Sequence, residues 1–101
     1  MRQDAIMISD QDNVATALKD LEAGQSCQFL VGKDSRNIKV KEKISFGHKF
    51  AVVDIVRGMD IIKYGEVMGR ATADIPQGHH AHVQNIESLR GRGDLKGKGV
   101  S

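Results

Sequence analysis

"AVVDIVRG", residues 51–58, is a phrase that recurs along this 101-residue chain. Residues 17–24 read "ALKDLEAG" and residues 71–78 read "ATADIPQG", so each copy has the form Ala-x-x-Asp-(Leu/Ile)-x-x-Gly. The copies start 34 and 20 residues apart, too unevenly for a stacked solenoid array. The spacing points instead to one structural device reused within a single domain. In it, the Asp carboxylate can accept hydrogen bonds from backbone N–H groups two or three residues on. The aliphatic residue that follows plugs into the core, and the closing Gly is free to take a positive φ and end the turn. Pro76 in the third copy suits such a turn and cannot continue a central strand. Each phrase therefore predicts a compact turn pinned by one buried Leu or Ile, with Asp54 and Asp74 as turn formers.

Outward from the phrases, residues 12–24, "DNVATALKDLEAG", space Val14, Ala17, Leu18 and Leu21 as one face of a helix. Ser9 or Asp12 would cap its start and Gly24 would stop it, which predicts one short N-terminal helix. The remaining runs read as strands: "SCQFLVG" (26–32), "NIKVKEKI" (37–44) and "KFAVVDI" (49–55). "MDIIKYGEVMGRATA" (59–73) reads as two short strands hinged at Gly65, and "HHAHVQNI" (79–86) as one more. The fold class predicted is mainly β, built of short bent strands with that single helix. Strands alternating with long amphipathic helices are absent, which argues against a nucleotide-binding βαβ unit.

Hydrophobic residues make up 40% of the chain but aromatics only 4%, with no Trp. The core must then rest on Val, Ile, Leu, Met and Ala, with Met7, Met59 and Met68 as core or interface filler. Residues 1–94 read as one domain and residues 95–101 as a flexible, basic, glycine-rich tail. Arg90, Arg92, Lys96 and Lys98 gather near that end against Asp94 alone, without the interleaved aromatics that base stacking would use. No nucleic-acid partner is expected, and Arg92-Gly93-Asp94 is read as an accidental match to an adhesion tripeptide. Cys27 is the single cysteine and sits in an apolar strand, so it is expected to be buried and inert. With no apolar run of signal or membrane-span length, the chain reads as soluble and cytoplasmic, with no membrane partner.

Three longer strings bear on function: "FGHKFAVVDI" (46–55), "KYGEVMGRATADI" (63–75) and "HAHVQNIESLRGRGD" (80–94). Together with the repeated phrase they resemble the SAF domain, from about Ala17 to Asp94. More narrowly, the chain is similar to the small subunit or N-terminal domain of the altronate and galactarate dehydratase family, whose layout the sulfolactate sulfo-lyase small subunit shares. The resemblance implies a β-clip fold and a lyase (hydro-lyase) that removes water, or in the sulfo-lyase sulfite, from a small hydroxy acid. It also implies a large dehydratase subunit as partner and a divalent metal (Fe²⁺ or Mn²⁺) held mainly by that subunit. By itself the small subunit would be inactive. A homo-oligomer stays open, as does a SAF module that binds carbohydrate or protein without chemistry.

Taking a proton from beside a carboxylate needs a positioned base and a cation to stabilise the developing enediolate. His48 and His82 are the candidate catalytic residues. Gly47 lets the backbone turn sharply before His48, and His82 matches the His-x-x-Asn motif of the resemblance. Lys49, Lys63, Tyr64 and Asn85 are candidate substrate contacts, although Lys63 and Tyr64 would equally frame the Gly65 bend, with Tyr64 packed as core, and Asn85 would equally fix a turn. Strand alternation puts His80, His82 and Gln84 on one side, and two imidazoles two residues apart can meet one metal. His82 is thus a candidate ligand. Relatives often carry histidine where Gln84 stands, however, and His79 and His80 are expected to be solvated turn residues.

Overall fold

A computed structural model describes residues 3–88, which form nine strands and no helix. In chain order these are β1 (Ala5–Ile6), β2 (Val14–Ala17), β3 (Ser26–Val31), β4 (Asp34–Lys39), β5 (Lys49–Ala51), β6 (Asp60–Lys63), β7 (Glu66–Ala71), β8 (His80–Ala81) and β9 (Ile86–Ser88). All pairings are antiparallel. A four-stranded sheet has the order β1-β2-β5-β8, β3 and β4 form a hairpin, and β6-β7-β9 make a third sheet. The mainly β expectation holds. The basic tail expected over 95–101, the tripeptide at 92–94 and the domain end at 94 lie outside the described residues. Among the described residues no helix is long and apolar enough to cross a membrane.

The phrase occurs four times in the structure, the additional copy being "VKEKISFG" at residues 40–47. Its Ile44 pairs with Leu21 of the first copy in a two-way backbone bridge, and Ile55 pairs with Ile75 in the same way. The copies therefore work as two antiparallel couples. In each couple the closing Gly N–H of one member donates to the carbonyl of the other's first residue: Gly24 to Val40, Gly47 to Ala17, Gly58 to Ala71 and Gly78 to Ala51. All four glycines have φ between 84° and 93°. The Asp carboxylates accept not from N–H groups two or three residues on but from the partner phrase, and so clip the couples together: Asp20 from Phe46 (2.8 Å), Asp54 from Gln77 (2.9 Å) and Asp74 from Arg57 (2.8 Å). Lys43 occupies the fourth Asp place and has no acceptor to offer. The plugs Leu21, Ile44, Ile55 and Ile75 are all at most 1% exposed, a burial worth roughly 1.5–3 kcal/mol each.

The predicted N-terminal helix is overturned. Val14–Ala17 is β2, paired with β5 through Val14–Ala51, Ala15–Phe50 and Thr16–Lys49. Both faces of this central pair are covered, so the apolar residues run on without a clean alternation and imitate helical spacing. Ala15, Ala17, Phe50 and Val52 face one core with Leu21, Phe29 and Ile44, while Val14 and Ala51 face a second with Ile55, Ile61 and Ile75. Leu18, the third residue of the supposed helical face, is exposed. Each core belongs to one couple of phrases and the hairpin looped between its members, β3–β4 in one half and β6–β7 in the other. Cys27 is fully buried in the first core, as is Met7, but Met59 is exposed.

Two glycines are fixed by close approach. A Cβ on Gly69 would lie 2.4 Å from the Glu87 carbonyl oxygen, where β7 meets β9, and one on Gly78 would lie 2.5 Å from that of Lys39. At the β6–β7 tip, Tyr64 (φ 55°) and Gly65 (φ 78°) are both left-handed, as a type I′ hairpin turn requires.

Candidate functional site

Three of the four histidines meet at the β5–β8 edge of the main sheet. The register pairs Lys49 with Ala81 and Phe50 with His80, and one further step along it sets His48 opposite His82. The His48 and His82 rings stack with centroids 4.3 Å apart and planes 17° apart. His80 stacks at 5.1 Å from His48 and 5.5 Å from His82. His48 Nδ1 lies 2.9 Å from His80 Nε2. One ring nitrogen from each of the three falls within a 4.8 Å group.

The surroundings hold this arrangement in place. The Asn85 side chain accepts from the His82 N–H (2.9 Å) and donates to the His80 carbonyl (2.8 Å), closing the turn that carries both rings. Glu42, from the fourth copy of the phrase, accepts the His80 backbone N–H at 3.0 Å and contacts His79 Nδ1 at 3.1 Å. The Gln84 amide reaches His80 Nδ1 at 3.0 Å. The buried Nδ1 of His82 has no hydrogen-bond partner. An unpartnered buried polar atom is costly and calls for an explanation.

Burial, followed by the neighbouring His48, holds the His80 and His82 imidazoles below their ordinary pKa. Lys49 adds to this at both rings, while Glu42 opposes it at His80. The Lys49 ammonium is itself lowered, first by burial and then by Lys63. The His80 N–H bond is the main reason that the Glu42 carboxyl lies below its usual range. His80 and His82 therefore favour neutral imidazoles with available lone pairs, next to two lysines. Beside His82 opens a cleft of about 110 Å³, lined by Lys49, Met68, Val83, Ile86 and Ser88 as well. Val83 on its rim is 81% exposed.

Of the residues picked from sequence, His48, His82 and Lys49 come together, and Lys63 lies close enough to act on Lys49. Lys63 is set by a β-bulge at Ile61–Ile62, which the buried Asn13 staples by accepting from Ile62 N–H and donating to the Asp60 carbonyl. Tyr64 is exposed at the hairpin tip, not packed in the core, with the Lys63 Nζ 4.9 Å from its ring centroid. Asn85 has both ends of its amide engaged in the turn, so it positions histidines. His80, expected to be solvated, is a full member of the cluster, whereas His79 stands outside it on Glu42. The alternation of His80, His82 and Gln84 was the signal for this. Glu42 carried no signal, because Lys43 hid its phrase.

The donor set can be weighed against the divalent ion that the resemblance implies. Three imidazoles without a carboxylate suit a borderline first-row ion such as Fe²⁺ or Zn²⁺ and suit Mn²⁺ less well. The residues fit a metal.

Comparison with known proteins shows the family. A family model described as the altronate/galactarate dehydratase SAF domain matches residues 3–89. The chain is 42% identical over 83 residues to an altronate dehydratase of Escherichia coli, covering 82% of the chain but 16% of that enzyme. It is 38% identical over 73 residues to the galactarate dehydratase (L-threo-forming) of E. coli, 72% of the chain and 13% of the enzyme. It is also 33% identical over 88 residues to the (2R)-sulfolactate sulfo-lyase subunit alpha of Chromohalobacter salexigens, covering 83% of the chain and 94% of that subunit.

Proposed function

This chain belongs to the altronate/galactarate dehydratase SAF domain family, and from that premise we propose that it is the small subunit of a hydroxy-acid lyase, eliminating water from a polyhydroxy acid together with a large catalytic subunit. One observation carries this reading. The histidine–lysine cluster stands beside a cleft of about 110 Å³, well below the roughly 300 Å³ at which small-molecule pockets begin. A sugar acid cannot be enclosed there, which supports a site completed by a second polypeptide, for which the exposed Val83 offers an apolar contact.

In this reading His48 and His82 are this chain's contribution to the reaction site. Lys49 and Lys63 draw in the substrate carboxylate, whose charge would restore the Lys49 ammonium that burial disfavours. Asn85 fixes the turn that aims the rings. A divalent ion (Fe²⁺ or Mn²⁺), held mainly by the large subunit, would supply the Lewis acid that helps the hydroxyl depart. Alone, the small subunit would be inactive.

A second reading has its own support: the match to a sulfo-lyase alpha subunit spans 94% of that protein, which supports a small subunit of the sulfo-lyase kind, with sulfite as the leaving group. Co-expression with a lyase large chain, pull-down, and assay on altronate, galactarate and sulfolactate separate the two. A 2-keto acid from a sugar acid supports the dehydratase and sulfite release supports the sulfo-lyase. A chain that captures no large subunit but binds carbohydrate or protein would be a non-catalytic module.

A further inference from the structure

We infer that His48, His80 and His82 form a metal site of this chain's own, taking one first-row divalent ion of the zinc, cobalt or iron(II) class through three imidazole nitrogens. The inference stands on the geometry of the chain and survives if the lyase reading fails. Where that reading holds, it makes His48 and His82 ligands at the reaction site.

The three nitrogens already lie within 4.8 Å of one another. Tetrahedral ligands at about 2.1 Å from an ion sit roughly 3.4 Å apart, so the rings need move only about an ångström to close. His48 Nδ1 and His80 Nε2, at 2.9 Å, are that close before any ion arrives. Two ring nitrogens facing each other must share one proton, and an ion between them would displace it to an outward nitrogen. His80 has such an outlet, since its Nδ1 faces the Gln84 carboxamide at 3.0 Å, whose oxygen can turn to accept an N–H. That outer bond fixes the tautomer of a metal-bound histidine. Gln84 is thereby an orienting residue rather than a missing ligand. His82 supplies a further sign, a buried Nδ1 without a hydrogen-bond partner.

Among the described residues, the charged groups that act on the cluster are Glu42, which is bonded to the His80 backbone N–H and to His79, and Lys49 with Lys63 behind it. Glu42 tempers the local positive charge. The lysines limit affinity for a bare cation and favour an anionic fourth ligand. Three protein nitrogens leave such a position open, as in catalytic rather than structural zinc sites. The cleft shared by His82 and Lys49 is where a carboxylate would take it.

The test is titration of the tag-free, full-length chain with Co²⁺, followed by visible absorption and calorimetry, with Zn²⁺ as competitor. The expected result is one ion per chain, d–d bands of a four- or five-coordinate site, displacement by Zn²⁺ and a rise in melting temperature with Zn²⁺. His48→Ala, His80→Ala and His82→Ala should each weaken binding at least tenfold, and His79→Ala should leave it within twofold. Far-UV circular dichroism confirms that each variant is folded. His80→Gln serves as a second probe at that position, expected to weaken binding at least tenfold while keeping a polar side chain beside Gln84. Octahedral spectra without loss in the three variants, or a loss in His79→Ala equal to that in His80→Ala, would overturn the inference. So would absence of Co²⁺ binding to the folded chain.

Discussion

Three carboxylates clip the phrase couples at 2.8–2.9 Å, and the fourth place holds Lys43. Replacing Lys43 with Asp should complete the set by giving the Ala23 N–H an acceptor. Both residues are exposed, so the gain is that of a solvent-facing hydrogen bond to a charged oxygen, about 0.5–1 kcal/mol. For a domain of this size that amounts to a rise in melting temperature of roughly 2–8 °C. Lys43→Ala controls for loss of the lysine. Asp20→Ala, Asp54→Ala and Asp74→Ala measure the three existing clips, each expected to cost about 0.5–2 kcal/mol, as helix caps of the same chemistry do. Thermal melts followed by circular dichroism give the energies, and hydrogen exchange at the Ala23 amide reports the new bond. Should Lys43→Asp be no more stable than Lys43→Ala, with the Ala23 amide exchanging as fast as before, the clip is not a stabilising device.

Gly24→Ala and Gly78→Ala share a left-handed φ but differ in space: nothing lies within 4 Å of the added methyl at Gly24, whereas the Lys39 carbonyl is 2.5 Å away at Gly78. The first should cost about 1–2 kcal/mol and the second a further 1–3 kcal/mol or so in chemical denaturation. Asn85→Ala removes the partners of the His82 N–H and His80 carbonyl and should cost about 1–3 kcal/mol, with shifted imidazole resonances in NMR spectra. Metal-free protein, held in chelator, should lose stability as pH falls through the ordinary histidine value of 6.5. Burial first, and His48 second, lower the His80 and His82 pKa in the fold, so the unfolded chain takes up protons earlier. The loss should level off below the folded values, and melts between pH 8 and pH 5 that show no such decline contradict the placement of these rings.

The repeated phrase was legible in sequence because its closing Gly answers a local backbone need, a positive φ, whereas its Asp bonds reach the partner phrase 17, 23 or 26 residues away. Its fourth copy was hidden because Lys43 leaves only Ile44 and Gly47 in place. Val14 to Ala17 misled for a tertiary reason. A strand buried on both faces shows no two-residue period, and its apolar run met Leu18 and Leu21 at helical spacing. His48 and His82 were singled out on motif, while the meeting of His48 with His80 across 32 residues depends on the β5–β8 register, which no local pattern encodes. For Tyr64 the sequence left a substrate contact and core packing at the Gly65 bend both open, and the two-residue hairpin places it at the exposed tip, outside the core.

The β2–β5 pair stands between the two cores and supplies side chains to both. Such a partition wall makes each half of the molecule the other's solvent shield, so neither can be excised as an autonomous miniature domain. Fragments severed near residue 48 would each bare an oily flank, and their reunion would regenerate the whole, which makes that point a natural seam for a split-protein reporter.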